Sequence, residues 1–231
     1  MLHAELSGKP AISHTDCMCS TVPTRFSPWR PFATRQLPFL ATLIGSLAMA
    51  PSPSQAVEHK IWSCGPYSVS DELGDFRITD ASGKGTRDAP IVIEEELDSP
   101  APVTLTVRTT RPLVPFDPSG DYASGQLYLR ISALNNSGEP WVEFEFELQS
   151  ALGRLSDDAD GLSFDQRNVS PENIHSADYG EFQREMRPYD RLVFKKGHAD
   201  PKHVAEFEFL VTDYTPHLAI YLVQEPHVPS S

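Results

Sequence analysis

Three glutamates alternate along one short segment of the chain, at Glu143, Glu145 and Glu147. On a β-strand, residues two apart share a face and lie about 6.6–6.8 Å apart, within side-chain reach of the roughly 5–5.5 Å between the two carboxyls of a retaining glycosidase. This spacing fits a hydrolase site, and we expect Trp141 to lie on the same face of the strand as a surface for the sugar. A charged outer face that keeps a sheet soluble gives the same pattern, and we favour that interpretation.

A second group of acids surrounds a glycine turn, at Asp157, Asp158, Asp160 and Asp165. Calcium takes about six to eight oxygen ligands, and closely spaced aspartates can supply several of them. The segment is not an EF-hand loop, because Ser156 stands where the first acid is required. Two interpretations stay open, namely a Ca²⁺ site that stabilises the domain and a solvated acidic turn.

The other reactive residue types form no recognisable site. His198 and His203 share a loop with no cysteine nearby, which favours exposed histidines over metal ligands. Ser163 and Ser170 lack the G-x-S-x-G context of a hydrolase nucleophile. Cys64 is predicted to be a small buried or half-buried thiol. The sequence therefore assigns no catalytic residue outside the three glutamates.

Composition narrows the class of protein further. The chain has 231 residues, of which 39% are hydrophobic, and its formal net charge is −13. Nucleic acids and anionic lipids are bound by clustered lysines and arginines, which neutralise phosphates. The excess of acid argues against nucleic acid as a partner, and the length suits one globular domain with an additional segment.

The additional segment is N-terminal and has the features of a secretory signal. Leu37–Ala50 is an uncharged apolar run of 14 residues, shorter than the roughly 20 residues that cross a membrane as a helix. Three arginines precede it, at Arg25, Arg30 and Arg35. We expect residues 1–56 to be a leader that is removed, and the protein to be exported to the periplasm or the exterior with no transmembrane segment in its mature part.

From residue 57 onward the hydrophobic pattern has the two-residue period of half-buried strands. In the clearest case the apolar residues that alternate with the glutamates are Val142, Phe144, Phe146 and Leu148. Short strands separated by Pro, Gly, Asp and Asn clusters predict an all-β fold, an antiparallel β-sandwich or jelly roll. We expect a single domain over 57–226 and a disordered end over 227–231.

Individual elements follow from the same pattern. The turn formers between two alternating runs predict a β-hairpin over 126–148. Residues 111–125, with three prolines and two glycines, are predicted as a long loop, and residues 177–187 as a short helix that Pro188 ends. The further predicted strands are 61–69, 75–79, 90–96, 103–107, 191–195, 204–212 and 217–223.

Two stretches of the chain carry a family resemblance. The first is Asn135-Asn136-Ser137-Gly138-Glu139-Pro140-Trp141-Val142-Glu143-Phe144, followed by Asp160-Gly161-Leu162-Ser163-Phe164. The second is Asp190-Arg191-Leu192-Val193-Phe194, followed by Phe207-Glu208-Phe209-Leu210-Val211 and Leu222-Val223-Gln224-Glu225-Pro226. Together they resemble the exported β-domain of bacterial surface proteins that usually end in a PEP-CTERM sorting tail, in which an N-x-T/S-G-x-x-W-x-x-F hairpin precedes a D-G-L-x-F loop.

The resemblance covers about residues 126–226 and carries no established catalytic residue. The sequence ends at Ser231 without a Pro-Glu-Pro motif, an apolar segment or a basic end. The resemblance therefore implies export but not sorting by a tail, and we expect release into the periplasm or the medium.

The leading interpretation is a non-enzymatic, exported binding module whose partner belongs to a surface, a matrix or a carbohydrate. A carbohydrate-active domain stays open as the alternative, binding sugar through Trp141 and Tyr128 or hydrolysing it through the three glutamates. An oligomer-forming structural protein is a third interpretation, which unpaired edge strands would favour.

Overall fold

The computed structural model describes residues 59–157, 159–167 and 172–230. Contacts divide the chain into two units, Met1–Pro53 and Ser54–Ser231, and every described residue belongs to the second. The predicted leader and Asp158 of the predicted calcium loop lie outside the described residues.

Within this described part the chain forms fourteen strands and no helix, which confirms the predicted all-β class. In chain order the strands are β1 (Ile61–Cys64), β2 (Tyr67–Ser70), β3 (Arg77–Ser82), β4 (Ile91–Leu97), β5 (Val103–Thr109), β6 (Gln126–Asn135), β7 (Glu143–Ala151), β8 (Arg154–Leu155), β9 (Leu162–Phe164), β10 (Ile174–Ser176), β11 (Tyr179–Glu185), β12 (Arg191–Gly197), β13 (Val204–Asp213) and β14 (Ala219–His227).

The strands form two sheets packed as a β-sandwich. The larger sheet has the order β1-β2-β5-β14-β7-β12-β11, with β8 paired to β7, and the smaller has the order β10-β13-β6-β4-β3, with β9 paired to β13. Among the named strand pairs of the described chain, β4 and β6 run parallel and the others run antiparallel. The chain crosses repeatedly from one sheet to the other, as in jelly rolls.

The core lies between the two inner faces. Phe144 and Phe146 of β7 meet Phe207 and Phe209 of β13, with ring centroids 4.6 Å apart for Phe144 and Phe207 and 4.8 Å apart for Phe146 and Phe209. All four rings are buried. Aromatic side chains bury a large apolar area each, so the alternating pattern of the sequence supplies the main packing between the sheets.

The predicted hairpin over 126–148 is wrong. β6 pairs with β13 and β4 in the smaller sheet, whereas β7 pairs with β14 and β12 in the larger one. The turn between β6 and β7 is therefore a crossover between sheets. The alternation of apolar and polar residues shows which face of a strand is buried. The same alternation is found when consecutive strands pair in one sheet and when they face each other across a core, so it does not predict the pairing.

Asn135 holds this crossover together. Its Nδ2 donates to the carbonyl oxygens of Glu139 (2.8 Å) and Ala199 (2.9 Å), and its Oδ1 accepts from the amide (3.1 Å) and the hydroxyl (2.7 Å) of Ser137. Ser137 Oγ also accepts from Trp141 Nε1 at 3.1 Å. The asparagine, serine and tryptophan that carry the family resemblance thus form one hydrogen-bonded turn.

Residues 177–187, predicted as a helix, form the edge strand β11 instead. Tyr179 is buried and Phe182 packs against the core, and this spacing of three residues imitates a helical period. Pairing with β12, from Tyr179↔Gly197 to Glu185↔Arg191, supplies the backbone hydrogen bonds. A short isolated helix has no comparable stabilisation, so the sheet determines the structure of this segment.

Several boundaries also differ from the predicted ones. The strand predicted over 61–69 is two strands, because Gly65 turns the chain at a φ of +59°. The strand predicted over 75–79 begins later, at Arg77, and β14 continues to His227, one residue into the predicted disordered end. The predicted loop over 111–125 contains no named strand.

Candidate functional site

The three predicted glutamates all lie on the outer face of the larger sheet, along β7. The structure brings two of them to one histidine, because Glu143 Oε2 is 3.6 Å from His227 Nδ1 and Glu145 Oε2 is 3.8 Å from His227 Nε2. Glu147 is separate, and its Oε1 accepts from Gln149 Nε2 at 3.0 Å. The pair that could act together is therefore Glu143 and Glu145.

Cations from the neighbouring strand β12 neutralise this pair. Lys195 Nζ lies 3.9 Å from Glu143 Oε1, and Arg191 Nη1 donates to Glu145 Oε1 at 3.3 Å. Burial raises the pKa of Glu145, against the opposing effects of Arg191 and His227. A network of this kind stabilises a sheet surface, and the catalytic role of the glutamates stays a prediction.

Trp141 does not share the face of the glutamates, and that part of the prediction is wrong. Its ring is fully buried and packs edge to face on Phe144, with centroids 5.4 Å apart. The chain bends at Val142, so Trp141 pairs with Ala199 rather than with β14. The bend inverts the alternation, and the tryptophan is not available as a surface for sugar.

The predicted calcium ligands cap local turns. Asp157 Oδ1 accepts from the amide of Ala159 at 2.9 Å, and Asp160 Oδ1 accepts from Leu162 N at 3.0 Å. Asp165 is buried, and its Oδ2 accepts from Asn173 Nδ2 at 2.9 Å. Asp158 lies outside the described residues, so the calcium site stays a prediction, which a calcium titration of the full chain tests.

Cys64 and the loop histidines lie where the sequence suggested. Cys64 is fully buried, and burial together with Asp80 raises the pKa of its thiol to about 11. His198 and His203 are exposed at the surface, and His203 Nε2 lies 2.7 Å from Asp178 Oδ1. These residues do not indicate catalysis.

A different surface, the outer face of the smaller sheet, has the form of a binding site. The outward residues of its central strand β6 line three depressions that follow one another along the strand. We call this surface the β6 face, and it is defined by the outward residues Gln126, Tyr128, Arg130, Ser132 and Leu134. The depressions have volumes of about 170, 80 and 420 Å³. Concavities that follow one strand suit an elongated ligand.

Tyr128 lies between the first two depressions and is covered on one side by Arg87. The Arg87 guanidinium lies 5.3 Å from the centroid of the Tyr128 ring, and its Nε donates to Tyr128 Oη at 3.3 Å. Arg87 Nη2 also donates to Asn173 Oδ1 at 2.5 Å. An aromatic ring, a guanidinium and an amide, each planar and polar, thus meet at one point of the surface.

The second depression is lined by paired charges. Arg130 Nε lies 2.5 Å from Glu208 Oε1, directly across the β6–β13 pairing, and His175 Nε2 lies 3.5 Å from Glu208 Oε2. These side chains are half exposed and offer both donors and acceptors to a ligand. In the register of the two strands, Glu206 and Glu208 of β13 lie opposite Ser132 and Arg130 of β6.

Phe116 stands at the entrance of the first depression. The side chain is 54% exposed although it is aromatic, and its backbone has a φ of +60°, a conformation that a non-glycine residue rarely adopts. The amide of Phe116 donates to Ser124 O at 3.0 Å, which fixes the loop. Strained backbone conformations cluster at functional sites, which makes Phe116 a candidate ligand contact.

The third depression is acidic. Glu94 and Glu96 of β4 and Glu206 of β13 surround a floor that includes Ser132 and Leu134 of β6. Arg77 pairs with Glu96, with Nη2 2.5 Å from Oε2. The β6 face therefore carries arginines near Tyr128 and acids at its far end.

Sequence reasoning identified Tyr128 alone among these residues. Arg87 and Phe116 were missed because they reach the β6 face from connections before β4 and β6, 41 and 12 positions from Tyr128. The available signals were weak: one aromatic residue among prolines, and polar residues at every second position of β6.

Comparison with protein-family models, with curated proteins and with solved structures gives no match to this chain. The class of the protein therefore comes from its fold, which is an all-β sandwich of two mainly antiparallel sheets.

Across 59–157, 159–167 and 172–230, no three His, Cys, Asp or Glu side chains are grouped as ligands of a metal ion. The same residues include no helix that is long and apolar enough to span a membrane.

Proposed function

We propose that this chain is an exported, non-enzymatic binding module, and that the β6 face holds a carbohydrate. The observation that carries the proposal is the row of outward β6 residues, Tyr128, Arg130 and Ser132, which line consecutive depressions with Phe116 exposed at one end. The ligand would lie along β6 as an extended chain.

The chemistry of the β6 face suits sugars better than other ligands. An aromatic ring can pack against the C–H face of a pyranose, as it does against apolar groups in general, and Phe116 is exposed for such a contact. Arginine, asparagine and glutamate side chains supply the donors and acceptors that hydroxyl groups require. Jelly-roll folds are widely used as lectins, which is an argument from fold alone.

Charge argues against polyanions as ligands. The chain carries a net charge of −13, and the third depression adds Glu94, Glu96 and Glu206 to the surface. A nucleic acid would be repelled along this end of the β6 face. A neutral or weakly charged oligosaccharide meets no such barrier.

Export rests on the leader predicted over 1–56 and on the resemblance of residues 126–226 to the β-domain of PEP-CTERM surface proteins. Both support a location in the periplasm or outside the cell, where polysaccharides are accessible. A cell-surface or matrix polysaccharide is the partner that this location favours.

The proposal is tested by calorimetric titration of the full chain with soluble β-glucan and with neutral and uronic-acid oligosaccharides. Tyr128→Ala and Phe116→Ala are expected to weaken binding at least about tenfold, since aromatic contacts dominate such interfaces. Tyr221→Ala is the matched control, because Tyr221 lies on the outer face of the larger sheet. Absence of binding to every saccharide, or equal losses in all three variants, would refute the proposal.

A further inference from the structure

Two polar side chains meet in the middle of the sandwich. Glu95 of β4 and Gln224 of β14 both occupy inward positions, one in each sheet, and are 1% and 0% exposed. Gln224 Nε2 donates to Glu95 Oε2 at 3.1 Å. This hydrogen bond joins the two sheets directly through the core, between residues 129 positions apart.

The strand neighbours of this pair are apolar. In the smaller sheet Glu95 lies in register between Ile78 and Ala133. In the larger sheet Gln224 lies between Val103 and Phe146. A carboxylate at this position would be a charge in an apolar core, which is strongly unfavourable unless it is paired.

Among the residues that the structure describes, the charged groups near the pair supply no counter-ion. Asp71, also buried, accepts from the amide of Ile78 at 3.0 Å through Oδ2, and its charge acts on Glu95. Its Oδ1 is 3.4 Å from His59 Nδ1. The acids next to the pair in sequence, Glu94, Glu96 and Glu225, occupy outward positions on their strands. Burial first and Asp71 second raise the pKa of Glu95 to about 8, although the Gln224 hydrogen bond opposes them.

Two oxygen atoms of the pair have no donor in the described structure. Glu95 Oε1 and Gln224 Oε1 are both buried and unpartnered, and a buried polar atom without a hydrogen bond is unfavourable. One proton on Glu95 Oε1 satisfies both atoms, because a carboxylic acid and a primary amide can exchange two hydrogen bonds. The amide N–H donates to one carboxyl oxygen, and the carboxyl O–H donates to the amide oxygen.

We infer that Glu95 is a neutral carboxylic acid at neutral pH and forms a reciprocal acid–amide pair with Gln224, which makes the association of the two sheets dependent on pH. Ionisation removes the second hydrogen bond and leaves an unpaired charge between the sheets. The pair is therefore an alkali-sensitive contact in the centre of the fold.

The direction of the pH dependence follows from the two states. A glutamate in an unfolded chain titrates near pH 4.3, whereas the pKa of Glu95 in the folded chain is about 8. Between these values the folded chain holds one more proton than the unfolded chain. The stabilisation is complete in acid and is lost as the pH rises, so the unfolding equilibrium constant should increase about tenfold per pH unit in this range.

The test is urea denaturation of the full chain from about pH 5 to about pH 8, compared with Glu95→Gln. Glutamine keeps two reciprocal hydrogen bonds with Gln224 but carries no titrating proton. In the variant, the unfolding equilibrium constant should no longer carry the tenfold increase per pH unit that Glu95 contributes. The variant should therefore be more stable than the wild type near about pH 8. A variant whose pH dependence equals that of the wild type would overturn the inference.

A measurement on the wild type avoids any failure of the variant to fold. Carbon-13 labelling of glutamate carboxyls and NMR titration should reveal one carboxyl resonance that titrates above about pH 7, well above the ordinary glutamate range. If every glutamate carboxyl of the folded chain titrates below about pH 6, Glu95 is ionised at neutral pH and the inference is wrong.

Discussion

The outer faces of the two sheets both carry many charged side chains, but they arrange them differently. On the larger sheet Arg191 pairs with both Glu145 and Glu185, and these charges neutralise one another. On the smaller sheet the charges of the β6 face surround depressions, and Tyr128 and Phe116 lie among them.

The difference shows that a row of acids is a weaker sign of function than the shape around it. Glu145 and Arg191 are 12% and 27% exposed, whereas Glu208 and Arg130 are 34% and 43% exposed. The first pair is largely enclosed by its own sheet and acts on stability. The second pair is more accessible, as the proposed contact with a ligand requires.

The largest effect on stability is expected at the crossover from β6 to β7, which joins the smaller sheet to the larger one. Asn135→Ala removes four hydrogen bonds and leaves the buried carbonyl of Ala199 without its side-chain donor. We expect a loss of about 3 kcal/mol in the free energy of unfolding, measured in urea. Asn136→Ala, which removes surface contacts to Asp98 and Lys202, should cost less than about 1 kcal/mol. Equal losses in the two variants would contradict this account of the turn.

Substitution of one arginine on each outer face compares the two faces directly. Arg191→Ala leaves Glu145 and Glu185 without their shared cation and should reduce the free energy of unfolding by about 2 kcal/mol. Arg130→Ala breaks an exposed pair with Glu208 and should cost less than about 1 kcal/mol. Saccharide binding should respond in the opposite order, with a loss for Arg130→Ala alone. If both variants lose stability and binding to the same extent, the two faces do not differ as proposed.

A smaller effect concerns pH. Burial raises the pKa of Glu145 above that of a glutamate in the unfolded chain. The folded chain therefore binds more proton at this position, and its contribution to stability is present in acid and lost as the pH rises through the raised pKa. Glu145→Gln should remove that loss, which urea denaturation from about pH 4 upward detects. A variant with an unchanged pH profile would show that Glu145 titrates normally.

The smallest effect is expected for Glu143→Gln, which tests the hydrolase alternative on the larger sheet. Because Glu143 and Glu145 are held by Lys195, Arg191 and His227, we expect the wild type to release no reducing sugar from β-glucan. The variant should be indistinguishable from it. Hydrolysis by the wild type that the variant lacks would move the functional site to the larger sheet.

Part of the candidate site could be predicted from sequence. Tyr128 was identified because it occupies an outward position on an alternating strand, and it lies on the β6 face. Trp141 was placed on the wrong face, because a single bend at Val142 shifts the alternation by one residue. Arg87 and Phe116 could not be predicted, because loops bring them to the β6 face. The spacing of residues along the chain does not indicate how those loops fold.

The same limit applies to the core. Glu95 stands between two other glutamates in Glu94–Glu96, and the alternation of β4 puts it on the inward face with Ile91, Ile93 and Leu97. Its contact with Gln224 arises only when β4 and β14 face each other.

The sequence by itself determined the two-residue hydrophobic period, and with it the all-β class and the inward face of most strands, because those depend on neighbours a few residues apart. The tertiary structure decided which strands share a sheet, which acids are paired, and which residues meet on the β6 face. Strand pairing and sheet packing join residues up to 129 positions apart, and identical local patterns satisfy many such arrangements, so only the packed fold selects among them.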